Sequence, residues 1–309
     1  MKFFPGSRLT AGIEITAGEI NAALLVKKRK ERFIRTLSRV IVPDETLKPS
    51  FKMKNILDES AFFSCLKECR DKMGFKKTGV ALPDAAVKVM IKEFKEVPRG
   101  NLDMQELIVW TVSSSLNLDS DTLRVSWKNM GRNLGNKYVI VIVLGLKEVL
   151  GQYEEAFKRA DIAPVMLAPA GLKQFDFYSG LLPQTGRIAY LGIFDAFLNL
   201  FVFDNGIPMF YRLIKKGFLN KKNGSVIDNM DLLIKYFYTE HPDFKIDRLY
   251  VASHLKSEIQ VKQIFQGMGN LEFTMMDEGQ LIAFEIPSGE KDLGALPFYS
   301  GALGAAMGF

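Results

Sequence analysis

The sequence predicts an α/β protein made of two similar halves, and three observations lead to this prediction. Apolar strands at hairpin spacing, followed by alternating helices and strands, occur twice along the 309 residues. A further segment with both strands and a helix interrupts the first copy. The composition is that of a globular protein, with 48% hydrophobic and 25% charged residues. A chain of 309 residues is long enough for each of two halves to bury its own core.

The first half, residues 1–185, opens with a predicted hairpin. Its two strands alternate apolar and polar side chains, and the basic run 27–32 (KKRKER) separates them at the tip. An amphipathic segment with helical spacing follows and stops at Gly74, because glycine commonly ends helices. A short apolar strand then ends at Pro83. The predicted elements are strands at 12–26, 33–42 and 78–82 and a helix at 59–73.

The rest of the first half contains an expected α/β insert at roughly 76–135. The apolar run YVIVIVLGL at 138–146 is too short to span a bilayer as a helix, which needs about 20 residues. This strand, the helix after it and the next strand form a β–α–β succession, which predicts parallel strands. The predicted elements are strands at 87–97, 123–130, 137–145 and 163–168 and helices at 102–116, 146–160 and 169–181.

The second half, residues 186–309, repeats the opening pattern. Asp204-Asn205-Gly206 joins two apolar strands, and Asn-Gly in this setting is among the strongest short hairpin signals. The glycine- and alanine-rich segment at 296–307 predicts a terminal helix that packs closely against the first half. The predicted elements are strands at 187–194, 197–203, 207–214, 248–252 and 271–276 and helices at 228–239, 258–267 and 296–307.

Composition and motifs exclude several classes of function. Cys65 and Cys69 lie four residues apart on a predicted helix, and the chain has only two histidines, His241 and His254. These residues do not make a metal site, and we expect both cysteines to be buried as small apolar residues. The sequence has no serine-hydrolase, P-loop or zinc-protease motif.

The net charge of +6 is concentrated in two clusters. Lys27, Lys28, Arg29 and Lys30 lie at the first hairpin tip, and the second cluster falls at 215–222. Solvated loops are one interpretation, and attraction to the anionic leaflet of an inner membrane is the other. We do not expect nucleic-acid binding, because no basic-aromatic platform or recognition helix accompanies the charges.

Several local patterns resemble the PilM family of type IV pilus assembly proteins. GVALP at 79–83, with the strand and proline that follow, is similar to the inserted subdomain of that family. The helix, His-Pro loop and strand at 231–251 resemble the segment before its adenosine-binding glycines, and GALGAA at 301–306 resembles its closing helix. The resemblance spans about residues 10–309. It implies an actin-like fold, with duplicated ribonuclease-H-like halves and an α/β subdomain inserted in the first.

The resemblance assigns the first nucleotide-binding loop to the segment after the first strand. Glu14 stands where the family usually has aspartate, so the charge is kept but moves outward by one methylene. Thr16 stands where glycine is usual and brings a β-branch into a turn. Both changes weaken the expected grip on Mg²⁺ and phosphate.

The second and third loops depart further from the family pattern. Gly192 and Phe194 replace an acid and a glycine, and Asp195 is one position out of register, which aims it at the opposite face of a strand. Ser253 and His254 replace the glycines that approach adenosine. We therefore expect vestigial loops, with no catalytic residue, no metal and no cofactor; bound ATP with Mg²⁺ is the opposing possibility.

The resemblance implies a non-catalytic cytoplasmic scaffold, held at the inner membrane through its partners. PilM-like proteins resemble adaptors that hold the amino-terminal segment of a PilN-like membrane protein between the first half and its insert. The predicted wall of this groove is formed by Val87, Val89, Ile91 and Trp110, with ordinary core packing as the alternative. Two other functions stay open, an active actin-like ATPase of pilus assembly and the cytoplasmic domain of a type II secretion L-like protein.

Overall fold

The computed structural model describes residues 10–28, 31–194, 197–215, 226–254, 272–284 and 293–307. Within these ranges the strands form three sheets, of six, five and three strands, which confirms the predicted α/β class. None of the helices in these ranges has both the length and the apolar character needed to cross a bilayer.

The first half is built on the six-stranded sheet. Its outer helices α1 (Glu59–Met73) and α3 (Lys147–Arg159) cover one face, where Phe62 and Tyr153 meet edge to face in a buried apolar cluster. Two antiparallel hairpins join β1 (Ala11–Ile15), β2 (Glu19–Lys28) and β3 (Glu31–Ile41). On the other side of β1, β4 (Lys77–Leu82) and then β8 (Ala163–Pro169) run parallel to it. The strands, in spatial order, are β14 (Ala283–Phe284), β3 (Glu31–Ile41), β2 (Glu19–Lys28), β1 (Ala11–Ile15), β4 (Lys77–Leu82) and β8 (Ala163–Pro169).

The second half is built on the five-stranded sheet, whose order repeats that of β3-β2-β1-β4-β8. Helix α5 (Val226–Glu240) covers one face through the buried side chains of Leu233 and Phe237. The internal duplication predicted from the hairpins is therefore present in the topology. The strands, in spatial order, are β11 (Ile207–Lys215), β10 (Phe197–Asp204), β9 (Arg187–Ile193), β12 (Arg248–Ser253) and β13 (Phe273–Met275).

The insert is a three-stranded antiparallel sheet covered on one face by helix α2 (Asn101–Leu116). Met104, Ile108 and Val112 of α2 are buried against β7, and the opposite face of the sheet contacts β11 of the second half. Trp127 Nε1 donates a hydrogen bond to Gln105 Oε1 (2.8 Å), which fixes α2 to the sheet. The strands, in spatial order, are β5 (Lys88–Phe94), β7 (Tyr138–Leu146) and β6 (Leu123–Arg132).

The observed boundaries of the insert differ from the expected 76–135. β4 belongs to the six-stranded sheet, and β7 belongs to the insert sheet, so the insert elements span 88–146. The prediction of a parallel β–α–β unit at this point was wrong, because β7 pairs antiparallel with β5 and β6. A central strand buried on both faces is continuously apolar, and in sequence this looks the same as a strand of a parallel sheet.

Two other parts of the chain were not settled by periodicity. β14 has two residues and pairs in parallel with β3, so a strand from the second half completes the sheet of the first. Two residues are too few to show any periodicity. The helix predicted at 258–267 and the second basic cluster lie outside the described residues, except for Lys215 at the end of β11.

The terminal helix α6 (Ser300–Met307) packs into the centre of the molecule. It crosses β1 and β4 at Gly12 and Gly79, where a side chain would overlap the backbone of Ala302 and Ala305. It also crosses helix α4 (Ala170–Tyr178), where a methyl group at Gly304 would overlap the carbonyl oxygen of Lys173. Backbone contact on both sides of α6 is possible because glycines stand at these crossings.

Cys65 and Cys69 are both buried on α1, as predicted, and both are free thiols. Burial raises the pKa of the Cys69 thiol to about 12, so this side chain is neutral at physiological pH. Such a thiol behaves as a small apolar side chain and not as a nucleophile.

Replacing Gly304 with alanine should destabilise the fold by about 3 kcal/mol, since the new methyl group has to displace the α4 backbone. The matched control is Gly151→Ala in α3, where no atom lies within 4 Å of the added methyl group. We expect the control to stabilise by up to about 1 kcal/mol through helix propensity. Urea denaturation measures both; equal effects of the two substitutions would contradict the close crossing of α4 and α6.

Candidate functional site: a filled cleft and a groove beside the insert

Glu14, on β1 beside the first loop, is buried between the two halves. Gln174 Nε2 on α4 donates a hydrogen bond to Glu14 Oε1 (2.7 Å). The carboxyl group also lies against Gly301 in the first turn of α6, where a methyl group would overlap it. Only 3% of the surface of Glu14 is exposed, so protein atoms enclose its carboxyl group.

The pKa of the Glu14 carboxyl is raised to about 8. Burial is the largest cause, and the negative charge of Asp84 is the second. Hydrogen bonds from Gln174 and from the Gly301 backbone act in the opposite direction but do not compensate for the loss of water. In the absence of a bound cation, Glu14 is therefore largely protonated at neutral pH.

Thr16 is accommodated in the first loop without positive backbone φ. Its hydroxyl donates to the carbonyl oxygen of Glu19 (3.2 Å) and accepts from the Glu19 amide (3.1 Å). The side chain therefore closes the turn in place of the glycine that the family usually has. Sequence reasoning identified the position as unusual but did not predict this hydrogen-bonded turn.

The second loop has no room for an acid at its expected position. Asn199 is paired with Gly192 across the β9–β10 ladder, and a side chain at 192 would overlap the side chains of Asn199 and Phe194. Phe194 itself is 1% exposed. Asp195 lies outside the described residues. The two replacements predicted from sequence, at 192 and 194, are thus coupled: the phenylalanine ring fills space that a larger residue at 192 would need.

The third loop ends β12 and closes against the segment before α6. The His254 ring lies edge-on to Phe194, with ring centroids 4.8 Å apart, and faces Phe298 at 4.4 Å. Its Nε2 donates a hydrogen bond to the carbonyl oxygen of Pro297 (2.9 Å). We call Phe194, His254 and Phe298 the aromatic plug, because these three rings from separate segments pack together beyond the ends of β9 and β12.

Asn21 fastens the same segment to the first half. Its side-chain amide donates to the carbonyl oxygen of Phe298 (3.2 Å) and to Glu19 (2.9 Å), and Asn21 is paired with Glu14 across the β1–β2 ladder. This residue ties the aromatic plug to the first loop.

A small cavity of about 180 Å³ remains between the first loop and the β10–β11 hairpin. Its walls are mostly apolar and include Phe197 and Leu213, with the carboxyl groups of Glu14 and Asp84 on one side. Asp84 accepts the amide hydrogen of Gly171 at the start of α4 (3.0 Å). Sequence reasoning missed Asp84, although its place directly after β4, which is parallel to β1, could have indicated it.

The acidic side chains on the described walls of this cavity are Glu14 and Asp84. Across the described ranges, no group of three or more His, Cys, Asp or Glu side chains is placed to share an ion. Gly192 stands where the family pattern has its second acid, and a side chain there would overlap Asn199 and Phe194. In this respect the residues present do not fit a magnesium–nucleotide complex as the family pattern would hold it.

A separate groove lies where the insert meets the first half, with a volume of about 370 Å³. One wall is β8, which is an edge strand of the six-stranded sheet, and the other includes β6, which is an edge strand of the insert. Val165 of β8 is 47% exposed in this wall. An ion pair between Arg124 and Glu154 lies at its side. The lining is otherwise mainly apolar and includes Leu82, Val87, Leu144, Leu150 and Leu167.

The structure separates the four residues predicted to form the wall of the groove. Val87 is 7% exposed and lines the groove. Val89 and Ile91 lie on β5 and join the apolar cluster that contains Phe201 of the second half. Trp110 is 68% exposed on α2. The sequence alone did not indicate that β8 lines the groove, because the sequence of a short strand does not show which edge of that strand is left unpaired.

At the first hairpin tip, Lys27 is exposed and pairs in register with Arg32, and residues 29–30 lie outside the described part of the chain. Arg32 turns away from solvent and donates a hydrogen bond to the carbonyl oxygen of Met307 at the end of α6. The basic run is therefore not uniformly solvated.

Replacing Glu14 with glutamine should change how stability depends on pH. In the native protein, Glu14 keeps its proton up to about pH 8, whereas the unfolded chain releases it near pH 4.5. The stability that this proton provides is complete below pH 4.5 and is lost as the pH rises to 8. Glu14→Gln should remove this dependence and gain a few kcal/mol relative to the native chain between pH 5 and pH 8.

Urea denaturation at several pH values measures the effect, and Glu59→Gln on the exposed surface of α1 is the control. Parallel stability profiles for the native chain and Glu14→Gln across this range would show that Glu14 ionises normally in the folded protein.

Comparison with known proteins shows the fold of this chain. No protein-family model matches the sequence, and no curated protein matches it. A chain of the PilM–PilN type IV pilus biogenesis complex is similar in structure, with a TM-score of 0.72 and 15% identity over 97% of this chain and 98% of that one.

A protein from Bacteroides thetaiotaomicron with an actin-like ATPase fold and unknown function is also similar. Its TM-score is 0.52, with 10% identity over 95% of this chain and 96% of that one. Identities this low show the fold alone. The chain therefore has an actin-like fold, and it is similar over nearly its whole length to a chain of the PilM–PilN complex.

Proposed function

We propose that this chain is a non-catalytic adaptor of a type IV pilus-like assembly platform. In this role it docks the cytoplasmic amino-terminal segment of a PilN-like inner-membrane protein. The observation that carries the proposal is the groove between β8 and β6, together with the likeness of the fold to a chain of the PilM–PilN complex. The protein would act at the cytoplasmic face of the inner membrane, and its partner would hold it there.

The groove suits an extended peptide. Among the described strands, β8 and β6 each have one edge that pairs with no other strand, and such an edge can add a peptide as one more strand. Alternate side chains of such a peptide would enter the apolar lining around Leu82 and Leu144, while backbone hydrogen bonds would supply affinity. Arg124 and Glu154 lie at the side of the groove and would favour particular charges on the peptide residues just outside it.

The filled cleft supports a role without ATP hydrolysis. A triphosphate needs a metal-binding acid, a turn that approaches phosphate closely, and open space for the adenine ring. In this chain Gly192 has no room for an acid, Glu14 is largely neutral, and His254 packs between Phe194 and Phe298. The rival function, an actin-like ATPase, would require the aromatic plug to open.

The cytoplasmic domain of a type II secretion L-like protein is a second rival. It would share the fold and differ in the membrane protein that occupies the groove. Genes for a type II secretion system, in place of pilus genes, beside the gene for this chain would favour this rival.

A single substitution in the groove should weaken partner binding. The segment to use is the amino-terminal peptide of the inner-membrane pilus protein encoded beside this chain. Val165→Glu places a charge in the apolar wall and should lower affinity at least tenfold, because a buried carboxylate loses its hydration. Isothermal titration calorimetry measures the dissociation constants.

The matched control is Trp110→Ala, which removes a larger exposed apolar side chain outside the groove and should bind as tightly as the native chain. No binding of the native chain at high micromolar peptide would argue against the adaptor role. Loss of binding in Trp110→Ala, with Val165→Glu unaffected, would move the docking site to α2.

Magnesium ATP should leave the melting temperature of the protein unchanged. A ligand present at 100 times its dissociation constant stabilises by about 2.7 kcal/mol, which shifts the melting temperature by several degrees in a protein of this size. The partner peptide in the same thermal-shift experiment is the positive control. A rise with magnesium ATP that Glu14→Ala abolishes would support the ATPase and overturn the non-catalytic assignment.

A further inference from the structure

The end of the insert that lies farthest from the groove has two unusually exposed leucines. Leu102 is 80% exposed and Leu134 is 78% exposed, the two highest values among large apolar side chains in the described ranges. They share this end because β5 ends at Phe94 opposite Tyr138, the turn at 133–137 joins β6 to β7, and α2 begins at Asn101.

The turn that carries Leu134 is held firmly by hydrogen bonds. The amide of Asn136 donates to the carbonyl oxygen of Asn133 (2.9 Å), and the Asn133 side chain donates to Glu93 on β5 (2.7 Å). Arg132 stacks on the Tyr138 ring at 3.9 Å and donates to the carbonyl oxygen of Asn136 (2.7 Å). Since its backbone is fixed in this way, the turn cannot easily fold Leu134 back onto the protein.

The sequence around the two leucines carries a small net positive charge. Residues 92–103 and 132–137 contain five basic and three acidic side chains, a net charge of +2. One of the acids, Glu93, is already engaged by Lys137 at 2.9 Å and by Asn133. The opposite end of α2 has the reverse polarity, since residues 117–122 contain two aspartates and no basic residue. The leucine-bearing end therefore has the larger net positive charge, although Lys88 and Arg124 lie toward the opposite end.

This surface is distinct from the groove. β7 runs from Tyr138 at the leucine-bearing end to Leu146 beside the groove, a distance of about 27 Å at 3.4 Å per residue. The groove and the leucine-bearing end therefore lie at opposite ends of the insert sheet. The inference therefore does not depend on the proposed peptide docking.

We propose that this end, defined by Leu102, Leu134, Lys95, Arg99, Arg132 and Lys137 and here called the insert tip, binds the surface of an anionic lipid bilayer. The two leucines would enter the boundary between headgroups and acyl chains, and the basic side chains would contact lipid phosphates. Charge complementarity favours this occupant, because two exposed leucines among side chains of net positive charge match a bilayer, whose surface phosphates are anionic and whose interior is apolar. The contact would fix how the insert, and with it the groove, faces the membrane.

Vesicle co-sedimentation tests the proposal with the full chain. The probes are vesicles of phosphatidylcholine alone and vesicles that also contain about 30% phosphatidylglycerol, at about 0.1 M and about 0.5 M salt. The native chain should bind the anionic vesicles at low salt and bind neutral vesicles roughly tenfold more weakly. The double variants Leu102→Ser/Leu134→Ser and Lys95→Glu/Arg99→Glu should each lower anionic binding about tenfold or more.

Two double variants are the matched controls. Ile41→Ser/Met53→Ser removes apolar side chains of comparable exposure, 64% and 68%, and Lys67→Glu/Lys76→Glu reverses two exposed charges outside the insert. Both should bind as the native chain does. Circular dichroism establishes that all four variants are folded.

Several outcomes would overturn the proposal. The native chain could fail to bind anionic vesicles, or the controls could lose as much binding as the tip variants. Binding could also depend on the basic run at 27–32 and not on the leucines. Light scattering adds a further arm: if the leucine variants convert an oligomer to a monomer without changing vesicle binding, the insert tip is an interface between copies of this chain.

Discussion

The close packing of α6 against the first half is the contact on which the rest of the structure depends. Gly12 and Gly79 let α6 lie backbone to backbone on β1 and β4, and Gly304 lets it cross α4 in the same way. Because α6 ends the second half, this packing fixes the two halves against each other. β14 adds a second link by joining the sheet of the first half.

The packing of α6 also sets the state of the cleft. It places Gly301 against the Glu14 carboxyl group and holds the preceding segment, with Phe298, against His254. Removal from water then makes the neutral form of Glu14 the favoured one. The aromatic plug and the neutral carboxyl group are thus consequences of one helix position.

The insert has the opposite character, because its surfaces are available and not filled. Its proximal side forms a groove with β8, where two strand edges and an apolar lining suit an extended peptide. Its distal end holds two exposed leucines among basic residues on a braced turn. With the groove and the insert tip acting as proposed, their fixed spacing would orient a bound partner relative to the bilayer.

The sequence by itself determined the strands and helices with clear periodicity, the duplicated halves and the positions at which the nucleotide loops depart from the family pattern. These features are local, since side-chain spacing and turn residues act over a few positions. Only the tertiary structure decided that β7 belongs to the insert and that β8 presents a free edge to the groove. It also decided that Val89 and Ile91 pack toward the second half, and that Phe298 and Asp84 belong to the cleft. Strand neighbours and helix crossings depend on contacts between distant residues, and a strand buried on both faces has the same composition whichever sheet it joins.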